Sequence, residues 1–208
     1  MDTTVFDALR QALPGARVEL APSTDMPTLY ADRDDLVRVC TVLKSDAGLQ
    51  FSFLADVTAA DYYPSHPRFE VVYHLVCLGD TFAQTGHPAA PARRLRIKVR
   101  VPGDDAHLST VSGVWATAAW PEREVFDLFG IAFDDHPDLR RILMPEDWEG
   151  HPLRKDYPVQ VRQDAQISSA LQVSPEEFAA NVRAERERAD DAAQRGAAAG
   201  HAGGHGRE

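Results

Sequence analysis

Residues 95–101 read LRIKVRV, with an apolar side chain at every second position and a basic one between each pair. Residues 69–78 read FEVVYHLVCL, and every odd-numbered residue among them is apolar. A period of two is typical of β-strands that bury one face. The segment between them, 79–94, is rich in glycine and proline. The two stretches therefore predict an antiparallel hairpin with a long loop.

Two helices are predicted on the N-terminal side of this hairpin, because apolar residues recur there at helical intervals. Residues 3–13 carry apolar side chains at helical intervals and stop before Pro14. Asp32 is a suitable N-cap for a second helix. The apolar face of that helix would consist of Leu36, Val39, Cys40 and Leu43. Brief strands are predicted at 17–20 and 29–31.

Two further elements complete the predicted domain. Leu49, Phe51 and Phe53 alternate with polar residues, which predicts a strand with its aromatic side chains on one side. Pro121 is placed to open a third helix and Gly130 to end it. The acidic residues of this helix are expected on its exposed side.

The sequence thus predicts an α+β fold, with helices packed on a mostly antiparallel or mixed sheet, followed by an extended, proline-rich C-terminal arm. We expect a globular domain at residues 1–130, a partner-docking arm at 131–160, and a polar tail at 161–208. The tail should be helical in its first part and disordered afterwards. The arm is predicted to be irregular because each of its prolines disfavours helix in the residue before it.

The C-terminal arm needs a surface to lie on, because its apolar side chains and unpaired backbone groups would otherwise face water. That surface could be the chain's own domain or another protein. Two basic pairs, Arg140-Arg141 and Arg154-Lys155, suit forked contacts with carboxylates of a partner. Equally, they could pair within the chain with acidic residues of the third helix, Glu122, Glu124 or Asp127.

Composition excludes several classes of function. The 208 residues contain 22 Lys and Arg against 32 Asp and Glu, and the net charge of −10 disfavours nucleic acid as a partner. The two cysteines, Cys40 and Cys77, are too few to bind an iron–sulfur cluster and indicate a reducing compartment. Neither a secretory signal nor a membrane-spanning run of apolar residues is found in the sequence.

A metal-dependent hydrolase is the alternative reading of the C-terminal arm. His136, Asp138 and His151 are ligand types that zinc accepts. Their spacing is unfavourable because both histidines precede proline on an irregular run, and no helix holds two ligands on one face. The chain also lacks a nucleophile elbow, a phosphate-binding loop and a dinucleotide fingerprint.

The stretch 122–158 closely resembles the signature of the 30 kDa subunit of respiratory complex I, known as the C subunit in bacterial NADH-quinone oxidoreductase. The resemblance rests on ERE at 122–124, DLFGI at 127–131, HPDLRR at 136–141 and GHPLRKDYP at 150–158. Weaker similarity extends upstream to residue 49. The family usually has glycine where this chain has Asp135.

The resemblance implies a structural subunit in the peripheral arm of the proton-pumping NADH:quinone oxidoreductase. Such a subunit would be a peripheral membrane protein at the cytoplasmic face of the cell membrane, and would dock on the quinone-site subunit, known as the D subunit. FMN, the iron–sulfur clusters and the quinone would belong to partner subunits, and this chain would hold no cofactor. It would belong to a translocase of the respiratory electron-transport chain without catalytic residues of its own.

Partner-interface residues follow from the same resemblance and from the basic pairs. They are Glu122, Arg123, Glu124, Asp127, His136, Arg140, Arg141, Trp148, His151, Arg154, Lys155, Asp156 and Tyr157.

Overall fold

The computed structural model describes residues 4–79 and 92–158, together with Ser174, Ala180 and Arg183. Apart from those three residues, the tail predicted at 161–208 lies outside the described part, as does most of the 79–94 loop. The helices and strands follow one another as α1 (Thr4–Ala12), β1 (Val18–Leu20), β2 (Thr28–Ala31), α2 (Leu36–Ser45), β3 (Phe53–Asp61), β4 (Phe69–Cys77), β5 (Arg93–Val101), β6 (His107–Ser109), α3 (Ala119–Phe129) and β7 (Ala132–Asp134).

Five strands form a mixed sheet in the order β1-β2-β5-β4-β3. The predicted hairpin is its centre: β4 and β5 are antiparallel neighbours, with Phe69 opposite Val101 and Cys77 opposite Arg93. The β2–β5 pair is parallel, whereas β1–β2 and β3–β4 are antiparallel. A separate parallel pair joins β6 to β7. The α+β fold class with helices on a mixed sheet is therefore confirmed.

One face of the sheet forms the core and the other carries charge. The odd-numbered residues of β4 and β5 from Phe69 to Cys77 and from Leu95 to Val101 are buried at 2% exposure or less, and they meet the apolar face of α2. Each large side chain buried in this way stabilises the fold by roughly 1.5–3 kcal/mol. On the opposite face Lys98 pairs with Glu70, and Arg96 with Asp25. The alternating pattern of residues 95–101 thus separates an apolar core from a polar surface.

The predicted strand at 49–53 is wrong. The strand β3 begins only at Phe53 and continues to Asp61. Gln50 has a positive φ of 50°, and the Phe51 N–H donates to Leu43 O at 2.8 Å, so this segment turns back onto the end of α2. Leu49 and Phe51 are buried there, while Phe53 is 44% exposed. The alternation therefore arose from a turn packed against a helix.

Candidate functional site

The C-terminal arm begins where α3 ends. Gly130 adopts φ +70°, and its N–H donates to Phe126 O at 2.8 Å. A left-handed glycine is the common way for a helix to stop. Asp135, which stands where the family usually has glycine, has a positive φ of 62°. The backbone there needs the left-handed region, which aspartate tolerates better than most residues.

The last carbonyls of α3 are bonded to the C-terminal arm. A helix end leaves its final four carbonyls without intrahelical partners. Asp127 O accepts from Arg141 and from the His151 ring, at 3.2 and 2.9 Å. Leu128 O accepts from Leu153 N at 3.0 Å. Arg154 donates to both Phe129 O and Gly130 O. The described part of the arm, 131–158, thus lies on the chain's own domain at this end.

The Asp127 carboxylate fixes the middle of the arm. Its Oδ2 atom accepts three consecutive backbone N–H groups, from residues 142, 143 and 144, at 2.8–3.0 Å. Its Oδ1 atom pairs with Arg141 Nη1 at 2.7 Å. Burial alone raises the pKa of Asp127, but these bonds outweigh burial and hold the pKa below its usual range. Asp127 is therefore an internal anchor with its side chain fully buried.

Two arginines bond the irregular backbone around this anchor. Arg141 Nη2 donates to Trp148 O and Gly150 O, at 2.9 and 3.0 Å. Arg123 donates from α3 to the carbonyls of residues 140 and 141, both at 3.0 Å. Guanidinium groups suit this task because several of their donors point in fixed directions. A segment without regular hydrogen bonding is held in one conformation by side chains instead.

A second anchor holds the end of the arm. The buried Asp61 carboxylate accepts from Lys155 N at 2.9 Å and pairs with Arg68 at 2.8 Å. Arg68 also pairs with Asp156, at 2.5 Å. Burial raises the pKa of Asp61, yet the bonds from Arg68 and from backbone N–H groups lower it overall to about 2. Both Asp61 and Arg68 lie in the region of β3 and β4, far from the arm in sequence, and sequence reasoning missed them.

Glu122 lies inside the domain at the start of α3. Its carboxylate accepts from the Thr110 hydroxyl and, at 2.8 Å, from Val111 N. His136 Nε2 lies 3.8 Å from it and donates to Ala119 O at 3.0 Å. Burial raises the pKa of Glu122 to about 7. The expectation that the acids of this helix are exposed is therefore wrong for Glu122 and Asp127, both of which are buried.

The remaining predicted residues divide into inward and outward groups. The Tyr157 hydroxyl donates to Glu149 O at 3.2 Å, and the Trp148 indole N–H is buried. Arg140 faces outward and pairs with Asp138 in the same loop. Lys155 is exposed, although its backbone N–H is bonded to Asp61. Each basic pair is thus split, with one residue bonded inside the domain and its neighbour at the surface.

The geometry does not support a metal site at His136, Asp138 and His151. The Asp138 N–H donates to His136 Nδ1 at 3.0 Å, so both nitrogens of that ring are occupied by backbone. His151 is likewise bonded to a backbone carbonyl. In the parts of the chain that the structure describes, no three His, Cys, Asp or Glu residues are grouped to hold a metal ion.

Comparison with known proteins agrees with the resemblance in sequence. A family model described as the 30 kDa subunit of respiratory-chain NADH dehydrogenase matches residues 29–163. The chain belongs to this family. This member of the family is similar to the NADH-quinone oxidoreductase C subunit of Geotalea uraniireducens (strain Rf4), with 43% identity across 73% of this chain and 85% of that protein. The equivalent C subunit of Geobacter sulfurreducens is 48% identical over 134 residues, covering 64% of this chain and 75% of that one.

Solved structures agree with the fold of this member of the 30 kDa subunit family. The trypsin-resistant fragment of Nqo5 matches with a TM-score of 0.52 and 34% identity, over 65% of this chain and 97% of that one. A chain of an archaeal membrane-bound sulfane sulfur reductase matches with a TM-score of 0.61 at 21% identity, over 83% and 95%, which shows a shared fold. In the described residues, no helix is long and apolar enough to cross a bilayer.

Proposed function

We propose that this chain is a non-catalytic structural subunit in the peripheral arm of the proton-pumping NADH:quinone oxidoreductase, complex I, and that its C-terminal arm docks on the quinone-site subunit. In this proposal electrons pass from NADH through FMN and iron–sulfur clusters of partner subunits to quinone. The chain then sits at the cytoplasmic face of the cell membrane, attached through the complex. Family membership supports the proposal.

One observation on the C-terminal arm carries the docking role. Its inner side is fixed by Asp127 and Asp61, while its outer side presents Leu143 and Leu153, which are 59% and 52% exposed. These two leucines give the outer side of the arm apolar area that a partner could cover. A segment already held in its bound conformation loses little entropy on association. The arm therefore has the properties of a preorganised interface.

The outward basic residues give a test that leaves the anchors intact. In the tagged chain, Arg140→Glu together with Lys155→Glu should reduce co-purification of the other peripheral-arm subunits at least about 30-fold, since misplaced charge in an interface costs about 2–5 kcal/mol. NADH:quinone activity of the membranes should fall in parallel. The free energy of unfolding should change by no more than about 0.5 kcal/mol, because both side chains lie at the surface.

Arg10→Glu, an exposed arginine on α1, is the matched control and should leave the complex at normal levels. Normal complex levels in the double variant would contradict docking through this part of the arm. A chain that purifies alone and oxidises NADH by itself would overturn the structural role altogether.

A further inference from the structure

A groove of about 450 Å³ lies beside β3, on the side away from β4. Its walls come from the start of β3, from Trp120 and Pro121 at the start of α3, and from Ile142 of the C-terminal arm. Trp120 is 65% exposed and Phe53 is 44% exposed. Exposed aromatic residues at the rim of a groove are typical of protein interfaces.

The groove follows the edge of the strand. Four consecutive residues, 53–56, contribute to its lining. Successive side chains of a strand point to opposite faces of the sheet, so a groove on one face would contact only every second residue. The register shift between Leu54 and Asp56 interrupts this alternation, but no residue of β4 belongs to the lining. Because β3 ends the sheet and α3 packs against it, the groove lies at the outer edge of β3, between that strand and α3.

This edge has hydrogen-bonding capacity to spare. β3 is the last strand of the sheet, and within the described residues its ladder bonds go to β4 alone. It is nine residues long, with neither proline nor lysine among them. Natural proteins usually protect a long edge strand by charge, proline or a covering segment. β3 has a register shift between Leu54 and Asp56, carries two acids, and has α3 packed against it, yet among the described residues its outer backbone edge has no ladder partner.

The charges of the groove indicate what would fill it. Among the residues that the structure describes, Asp56 and Glu124 belong to its lining and no basic residue does; a nearby cation is Arg123, whose guanidinium lies over the Trp120 ring, 5.3 Å from the ring centroid. A second copy of this chain, paired edge to edge, would bring the same acids together in a protein of net charge −10. An occupant with its own positive charge is favoured.

We propose that the edge of β3 binds an extended segment of a neighbouring subunit, which adds a strand to this sheet, places an apolar side chain between Phe53 and Trp120, and sets a lysine or arginine against Asp56 and Glu124. Backbone bonds along the edge supply affinity in this recognition mode, and alternate side chains supply specificity. The inference rests on the proposed membership of an assembled complex, but uses a surface other than the outward residues of the C-terminal arm.

Hydrogen exchange on the assembled complex tests the added strand directly. The outward amides of β3 should exchange at least about 100-fold more slowly than unprotected amides, at rates comparable with those of β4. A side-chain contact without an added strand would leave them fast. Rapid exchange at β3, in a complex that contains this chain, would overturn the inference while leaving the proposed function intact.

Cross-linking identifies the occupant. A photo-reactive amino acid at Ala55, which is exposed in the groove, should cross-link in the intact complex to a segment of another subunit that contains a basic residue. A cross-link to residues 160–208 of the same chain, to a second copy, or to no protein would overturn the inference. Absence of the chain from the complex would instead refute the proposed function.

Substitution in the groove gives an independent measure. Trp120→Ala should lower retention of the chain in the complex roughly tenfold, the effect of losing a central aromatic contact. Leu78→Ala removes a comparably exposed side chain, 53% against 65%, just after β4 and outside the groove lining, and should change retention less than about twofold. Equal retention of the two variants would count against the groove as an interface.

Discussion

Replacing Glu122 by glutamine should change how stability depends on pH. The carboxylate is fully buried, and burial raises its pKa from 4.5 to about 7. The folded protein therefore binds this proton more tightly than the unfolded chain does. Stability from this group is fully present below about pH 4.5, declines as the pH rises, and is lost above about pH 7.

The size of the effect follows from the difference between the two pKa values. A gap of roughly 2.5 units corresponds to about 3 kcal/mol. Glutamine cannot ionise, and its amide oxygen can still accept from Val111 N. Relative to the native chain, Glu122→Gln should have little effect at pH 4.5 and raise the free energy of unfolding by up to about 3 kcal/mol at pH 8. The groups facing this carboxylate are His136 and Thr110, with Tyr73 and Cys40 farther inside.

Urea unfolding followed by tryptophan fluorescence, at intervals from about pH 4.5 to 8, measures the difference curve across the range in which this carboxyl titrates. Other titrating groups are shared by the two proteins and largely cancel. Glu124→Gln is the matched control, because it removes a carboxylate at the groove surface of the same helix and should shift stability by no more than about 0.5 kcal/mol at any pH. A Glu122→Gln difference that stays flat across this range would refute the reasoning.

Four other substitutions test the anchors of the C-terminal arm. Asp127→Asn removes the charge that accepts three backbone N–H groups and Arg141, and should cost about 3–5 kcal/mol in urea unfolding. Arg154→Lys keeps the charge but loses the forked donation to the carbonyls of Phe129 and Gly130, at a cost of about 1–2 kcal/mol in the same assay. Gly130→Ala puts a Cβ atom 2.4 Å from the His151 ring at φ +70°, and should lower the Tm by several degrees. Because the pKa of Asp61 is lowered to about 2, the native chain should lose about 2 kcal/mol of stability as the pH falls from about 4 to 2. Asp61→Asn, which cannot ionise, should lack this loss.

Limited proteolysis separates loss of an anchor from global unfolding. Under native conditions Asp127→Asn should expose residues 141–148 to cleavage before the rest of the domain. Asp138→Asn, an exposed acid in the same arm, should leave both stability and the cleavage pattern unchanged. Resistance of 141–148 in Asp127→Asn would mean that the arm is held by other contacts.

The central sheet and α2 could be predicted because their information is local. Residues 95–101 and 69–77 alternate over a full strand, and the apolar stripe of α2 follows the helical period. β3 could not be predicted in the same way, since most of residues 55–61 are small or acidic and carry little hydrophobic contrast. Its place in the sheet depends on pairing with β4, which propensity does not encode.

The burial of the acids was not predicted, for two different reasons. Glu122 lies three residues before Val125 and seven before Phe129, both buried, so the helical period already placed it on the inner face of α3. The residue type was given more weight than the position. For Asp127 and Asp61 no such local signal exists, because their partners in the arm come from 14 to 94 residues away. Only the folded chain brings those donors to the carboxylates.

The split basic pairs make the contacts within the chain compatible with the docking surface proposed for the C-terminal arm. Buried charge networks contribute little net stability compared with apolar packing, but losing one partner leaves an uncompensated buried charge, which disfavours other arrangements of this arm. Arg141 and Arg154 supply that constraint by bonding the carbonyls of residues 127, 129 and 130. Their neighbours Arg140 and Lys155 are thereby held at fixed surface positions. The alternatives left open by the sequence, pairing within the chain or across an interface, are therefore compatible, because the first places the residues that the second requires.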